Sequence, residues 1–213
     1  MTPIADSRQL ILDRIRAATQ PASAAAPEEN SSAGYIRHGS LTQEACLHLL
    51  IERLREYDAE VVESTPEDLP AAIATQLAAS LKRIFVAPEG LPAAWLVPGF
   101  EWKIDCGLTI DEIEHSEGVV TAAFCAVADS GTIVLHHSPA EGRRLLTLLP
   151  DWHLCILRSS QVVETFPEYF SRVQVPPALV TWISGPSATA DIEMTRIKGV
   201  HGPRFLHVIL VHD

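Results

Sequence analysis

From Ser40 to the end of the chain, short apolar runs of strand length alternate with stretches that open on helix-start signals. This alternation restricts the fold more than any other feature. Ser40 with Gln43 fits a capping box, and Cys46, Leu50, Leu54 and Tyr57 then mark one helical face to about Asp58. Glu60 to Glu63 reads as a strand. Thr65, Pro66 and Asp68 give a cap, a first-turn proline and a capping acid for a helix reaching about Ser80. Ile84 to Ala87 is a strand stopped by Pro88, and 88–118 reads as irregular. Val119 to Ala128 and Thr132 to His136 flank Asp129-Ser130-Gly131 as a hairpin. Ser138, Pro139 and Glu141 predict a helix that stops at Pro150. Leu154 to Leu157 is a strand, Ser160 to Arg172 a helix kinked at Pro167, Leu179 to Ile183 a strand followed by a short helical turn, and Leu206 to Val211 the last strand.

Strands alternating with helices predict an α/β fold with a mainly parallel sheet and helices on both faces. In such sheets ligands bind beyond the carboxyl ends of the strands. Ahead of this domain, Ser7 to Ala18 puts Ile11, Ile15 and Ala18 on one helical face, and Gln20 to Gly34 is rich in Ala, Pro and Ser. The predicted organisation is a helical arm over 1–19, a linker over 20–39 and one domain over 40–213. The arm would dock on a neighbour or on its own domain.

Composition narrows the function classes. Hydrophobic residues make up 47% of the 213, enough to fill a core, yet no run approaches the ~18 apolar residues of a spanning helix. The first residues contain no secretory apolar stretch and read as cytoplasmic. Sixteen Lys and Arg against 27 Asp and Glu leave a net charge of −11. No cation falls between Lys103 and Arg143, a gap that holds Asp105, Asp111, Glu112, Glu114, Glu117 and Asp129. Such a field repels a polyphosphate, so nucleic acid is not an expected partner. It keeps the chain soluble or serves as a docking face for a basic partner.

Four cysteines, at 46, 106, 125 and 155, lack the close pairing of zinc ribbons or iron–sulfur loops. Cys46, Cys125 and Cys155 lie in apolar runs and read as buried thiols, while acidic neighbours disfavour a thiolate at Cys106. His136 and His137 point to opposite faces of a strand and cannot share a metal. No cofactor or metal is expected. A Ser–His–Asp triad finds no nucleophile elbow, and no nucleotide-binding glycine pattern occurs.

The densest polar cluster runs from Gly185-Pro186-Ser187-Ala188-Thr189 through Asp191 and Glu193 to Gly199-Val200-His201-Gly202-Pro203. A glycine after a strand lets backbone approach a ligand, and free N–H groups at a following helix start attract an anion. Gly185, Pro186, Ser187, Thr189 and Gly202 are therefore candidate ligand-binding residues. Asp191, Glu193 and His201 are candidate acid–base groups. The same residues also serve as a plain turn and cap. Asp129, Ser130, Gly131 and Thr132 form a second candidate, an acid and two hydroxyls at a sheet end; a hairpin turn alone would also require that glycine.

Ala128-Asp129-Ser130-Gly131-Thr132-Ile133-Val134-Leu135, the strand Leu154 to Leu157 after Leu148-Leu149-Pro150, and above all Gly185-Pro186-Ser187-Ala188-Thr189-Ala190-Asp191-Ile192-Glu193 with Gly199-Val200-His201-Gly202-Pro203 resemble the LUD domain family, within it the lactate utilisation protein C branch. The resemblance covers about residues 40–213. It implies a fold like the group of ribose-5-phosphate isomerase, glucosamine-6-phosphate deaminase and CoA transferase (the NagB/RpiA/CoA transferase-like fold). It further implies a role in oxidising L-lactate to pyruvate with iron–sulfur partner proteins, as a subunit without a redox centre. The chain departs from the family pattern at Asp129-Ser130, where Glu-Thr is frequent, and at Ala188, where an anion-clamping Arg is common. A different reading is a stand-alone enzyme or binding domain for a small anion, such as a carboxylate, sugar phosphate or CoA ester, at the 185–203 loop. The sequence alone leaves open which of the two holds, and whether the chain is itself an enzyme.

Overall fold

The computed structural model describes residues 7–18, 37–175, 177–189, 197–199 and 202–213. The chain divides into two compact units, Met1–Tyr35 and Ile36–Asp213. The first contains one helix, α1 (Ser7–Ala18). The second runs α2 (Gln43–Glu56), β1 (Glu60–Ser64), α3 (Leu69–Ala79), β2 (Ile84–Pro88), β3 (Glu101–Asp105), α4 (Ile110–Glu114), β4 (Gly118–Ala122), β5 (Cys125–Val127) and β6 (Thr132–Leu135). It continues with β7 (Trp152–Arg158), β8 (Val162–Val163), α5 (Phe166–Arg172), β9 (Thr181–Ile183), β10 (Ala188–Thr189), β11 (Ile197–Lys198) and β12 (Phe205–Val211).

Six strands form the main sheet in the order β1-β12-β7-β4-β2-β3, every neighbouring pair parallel. Its two faces are covered by different helices, as predicted. On β12, Leu206, Val208 and Leu210 face the cluster that holds Cys46, Leu50 and Leu54 of α2. Ile209 and Val211 face the cluster that holds Leu69, Ile73 and Leu77 of α3. Burial on both sides explains why these strands read as near-continuous apolar runs.

A second sheet, β8-β5-β6-β9, packs Ala126, Ile133 and Leu135 into the α2 side of the core. The run Val119 to Ala128 is therefore two strands in two sheets. The Ala123 N–H still donates to Ile156 of β7, whereas the next amide, of Phe124, donates to Val134 of β6. Unbroken hydrophobicity conceals the switch because both sheets bury what they receive. The predicted hairpin is present, with Val127 opposite Thr132.

Other boundaries differ for local reasons. Thr42, not Ser40, caps α2, accepting from Ala45 N at 3.3 Å. Thr65 Oγ1 accepts from Asp68 N, but the hydrogen-bonded helix starts one turn later, at Leu69. Instead of a helix after Ser138, only a 3-10 turn forms, at Arg144–Thr147. The Glu141 carboxylate accepts from Ser138 Oγ and from the His136 amide, and Gly142 at φ 73° turns the chain away. Ser160 to Arg172 splits into a 3-10 turn, β8 and α5. Pro167 lies in the first turn of α5, where its missing N–H has no intrahelical partner to lose. The region 88–118 supplies an edge strand, β3, and the short α4 with its Thr109–Glu112 capping box. After Ser187 the described backbone forms the pair β10–β11 rather than a helical turn.

Candidate functional site

Two glycine-bearing turns meet next to the main sheet. The Ser187 amide donates to the Pro203 carbonyl at 2.8 Å, and the Gly199 amide to the Ser187 carbonyl at 3.0 Å. These bonds hold Gly185-Pro186-Ser187 against Gly202-Pro203. Gly185 has φ 86°, and a Cβ there would lie 2.6 Å from Tyr57 Cβ, so conformation and space both require glycine. The two turns form part of the wall of a cavity of about 310 Å³. Arg144, Thr147, His153, Thr181, Trp182 and Ser184 are among the residues that complete it.

The cavity lies at the amino-terminal ends of β7 and β12, whose second residues, His153 and Leu206, line it. That differs from the carboxyl-end placement expected of a parallel sheet. At the carboxyl ends of β2 and β3 is a wider cleft of about 970 Å³, bordered by Glu89, Cys106, His137, Ser138 and Arg143. Arg144 borders both spaces.

The smaller cavity carries an unusual charge arrangement. Arg144 is half-buried, and its Nη1 donates to the Thr147 carbonyl at 3.2 Å and to Thr147 Oγ1 at 3.1 Å. Burial weakens its basicity, and among the described residues no carboxylate lies within ion-pair distance of it. His153 is enclosed at 1% exposure, with Nε2 2.8 Å from Thr121 Oγ1. Burial, aided by the nearby Arg144 charge, pushes its pKa down to about 3. The ring is thus neutral at neutral pH. A cation, a neutral imidazole and hydroxyls, with no described carboxylate in the wall, favour an anionic guest.

The Asp129–Thr132 turn is not part of that wall. Gly131, at φ 62°, packs so that a Cβ would lie 2.7 Å from Arg53 Cβ of α2. The turn is connected to the cavity through hydroxyls. Ser130 Oγ lies 2.8 Å from Thr132 Oγ1, which lies 2.8 Å from Ser184 Oγ, and Ser184 lines the cavity. Thr189 is described only as backbone of β10, paired with Ile197. Asp191, Glu193 and His201 lie outside the described residues. Among the described residues no group of three or more His, Cys, Asp or Glu is placed to hold a metal ion.

Arg144 and His153 escaped the sequence reading. Each had a signal. Arg143-Arg144 ends the cation-free interval that begins after Lys103, and His153 interrupts an apolar strand at Trp152-His153-Leu154.

The LUD domain matches residues 99–211, which takes in both cavities' principal polar residues. The chain belongs to the LUD domain family. This LUD domain protein is 38% identical over 175 residues to the lactate utilization protein C of Deinococcus radiodurans, an alignment covering 80% of this chain and 82% of the relative. It is 26% identical over 209 residues to the lactate utilization protein C of Bacillus velezensis, covering 88% and 86%. A crystal structure of a DUF162 family protein from Deinococcus radiodurans superposes with a TM-score of 0.70 at 35% identity, over 81% of this chain and 99% of that one. The family and the α/β fold expected from the Gly-Pro-Ser and Gly-Val-His-Gly-Pro motifs are thereby borne out. No helix among the described residues is long and apolar enough to cross a membrane.

Proposed function

We propose that this LUD domain protein serves lactate utilisation as a subunit of an iron–sulfur-containing system that oxidises L-lactate to pyruvate, itself carrying no redox centre. The observation behind this reading is the 38% identity, over four-fifths of the chain, to a protein named for lactate utilisation. The cysteines support the division of labour. Cys46, Cys125 and Cys155 are buried as separate free thiols, and burial raises their pKa values to about 11, 11 and 12. Cys106 is exposed and free. A cluster held by several thiolates has no natural seat in such a set, so electrons pass through iron–sulfur partner proteins. Reconstitution tests the reading: lactate oxidation by the partners should fall when this chain is omitted and recover when it is restored. Undiminished oxidation without it rejects the subunit role.

A second reading rests on Arg144, which has no carboxylate within ion-pair distance among the described residues, close to a neutral His153. In it the cavity beside the 185–203 loop binds a small anion, with Asp191, Glu193 and His201 as its acid–base candidates. Thermal-shift measurements with carboxylates, sugar phosphates and CoA esters address it directly. A ligand at ~100 times its dissociation constant adds about 2.7 kcal/mol of stability, a shift of several degrees. No shift with any of the three classes counts against this second reading alone.

A further inference from the structure

The longest stretch of the chain without a charged residue is Val173 to Ala190, in a protein of net charge −11. Charge-free apolar segments such as β4 and β5 are buried. This one is largely at the surface. Val175 is 81% exposed, Leu179 50% and Trp182 44%, and Phe170, on α5, is 57% exposed. Phe166 stacks on Trp182 at a centroid distance of 4.7 Å, and Phe170 lies 6.1 Å from the same ring. Phe166 in turn packs on the buried cluster of Tyr169, Val127 and Val134. β9 is the last strand of its sheet, so no described strand continues that sheet past Trp182. The result is an exposed apolar face of roughly 400 Å², a size at which such surface marks an interaction site.

Charge decides what can sit there. A basic partner is drawn to carboxylates and an acidic one to cations, and this run offers neither. A second copy of the chain carries the same −11, so two copies repel each other except where their surfaces meet without charge. We propose that the face formed by α5 and the segment 173–183, centred on Phe170 and Trp182, binds the same face of a second copy about a two-fold axis. Such a contact is self-complementary, with aromatic and aliphatic side chains at its core and charge excluded, the composition of a homodimer centre. A standard interface takes ~800 Å² from each partner, so the patch supplies the core and its polar surroundings the rim. The contact also reaches the site. Trp182 lines the smaller cavity and Leu179 borders the wide cleft, so a second copy seated on this face adjoins both. The inference depends on neither reading of the function.

Sedimentation equilibrium of the full chain tests the proposal. The expected mass is twice 23.2 kDa, at concentrations on the order of 50 μM. Phe170→Glu sets two like charges against each other across the axis and should weaken association at least ~100-fold. Leu179→Glu, half-exposed in the segment between α5 and β9, should act in the same direction while sparing the fold, which circular dichroism checks in both variants. Salt supplies a second readout. With no ion pair in the contact to screen and −11 on each copy to shield, the dimer should tighten from low salt to ~0.5 M sodium chloride. A monomer under all these conditions overturns the proposal. So does a dimer that both folded glutamate variants leave intact, or one that salt dissociates. Dissociation by Ile11→Glu, but by neither of the other two, assigns association to the exposed apolar face of α1 and overturns it as well.

Discussion

The two concave regions share Arg144 but settle their charges in opposite ways. In the wide cleft, Arg143 Nε and Nη2 grip both oxygens of Asp105 at 2.7 and 2.9 Å, and Asp105 also accepts from the amides of Gly107 and Leu108. Burial alone would raise the Asp105 pKa, yet these bonds, led by that from Arg143, hold it below the ordinary value. His137 there is satisfied at both nitrogens, by the Gly142 carbonyl and Thr181 Oγ1. In the smaller cavity, among the described residues, the guanidinium has no acid within ion-pair distance and only one imidazole nitrogen, Nε2, has a partner. Size alone would select the cleft; unsatisfied chemistry selects the cavity. A closed set of internal bonds braces a loop, and an open one waits for a guest.

The largest expected effect lies on the cavity side and appears in acid. Folded His153 titrates at about 3, whereas in the unfolded chain it titrates near ~6.5. The folded state then binds fewer protons between those values. Its contribution is fully present above pH ~6.5 and is lost as pH falls toward 3, at up to about 1.4 kcal/mol per unit. His153→Phe, which cannot take up that proton, should lose stability less steeply below pH 6.5, with several kcal/mol separating the two slopes by pH 4. Urea denaturation across this range measures it, and parallel acid limbs would show that His153 is solvated in the native protein. On the cleft side, Asp105→Asn opposes its amide to Arg143 and should lower stability by about 2 kcal/mol at pH 7. Binding at Arg144 should be unchanged by that substitution. Weaker binding would mean the cleft and cavity are coupled through the adjoining arginines.

The same contrast explains what the sequence could disclose. β7 and β12 are legible because strands buried on both faces need apolar residues at nearly every position. The passage of the chain between sheets at Ala123–Phe124 is not, since both destinations ask for the same residues. Ser138 and Glu141 do bond as a capping pair would, but only Gly142's left-handed conformation decides that no helix follows. At the site, the Gly185 and Gly202 turns were visible because backbone conformation is written locally. The Arg144–His153 pairing was not. It depends on β7 lying between β4 and β12, and on Thr121 meeting His153 across 32 residues of sequence. β3 was hidden for a different reason: as an edge strand flanked by Pro98 and Gly107 it resembles loop in composition.

Two glycines offer the finest test of the contrast between a packed wall and an open rim. Gly185 lines the cavity at φ 86° with Tyr57 Cβ 2.6 Å from where its own Cβ would be. Gly107 borders the cleft at φ 108° with nothing within 4 Å of that point. Alanine at either position bears the left-handed backbone penalty of about 1 kcal/mol or slightly more. Only at Gly185 does it also press on a neighbour, the residue that ends α2, which must shift by several tenths of an ångström. Gly185→Ala should therefore be less stable than Gly107→Ala by about 1 kcal/mol in paired urea titrations, the low end of overpacking costs. It should also weaken carboxylate binding, because yielding at Tyr57 moves the turn that walls the cavity. Equal losses from the two substitutions would mean that the Gly185 turn relaxes freely, and a wall that loose could not hold the Arg144 and His153 groups in register with a small guest.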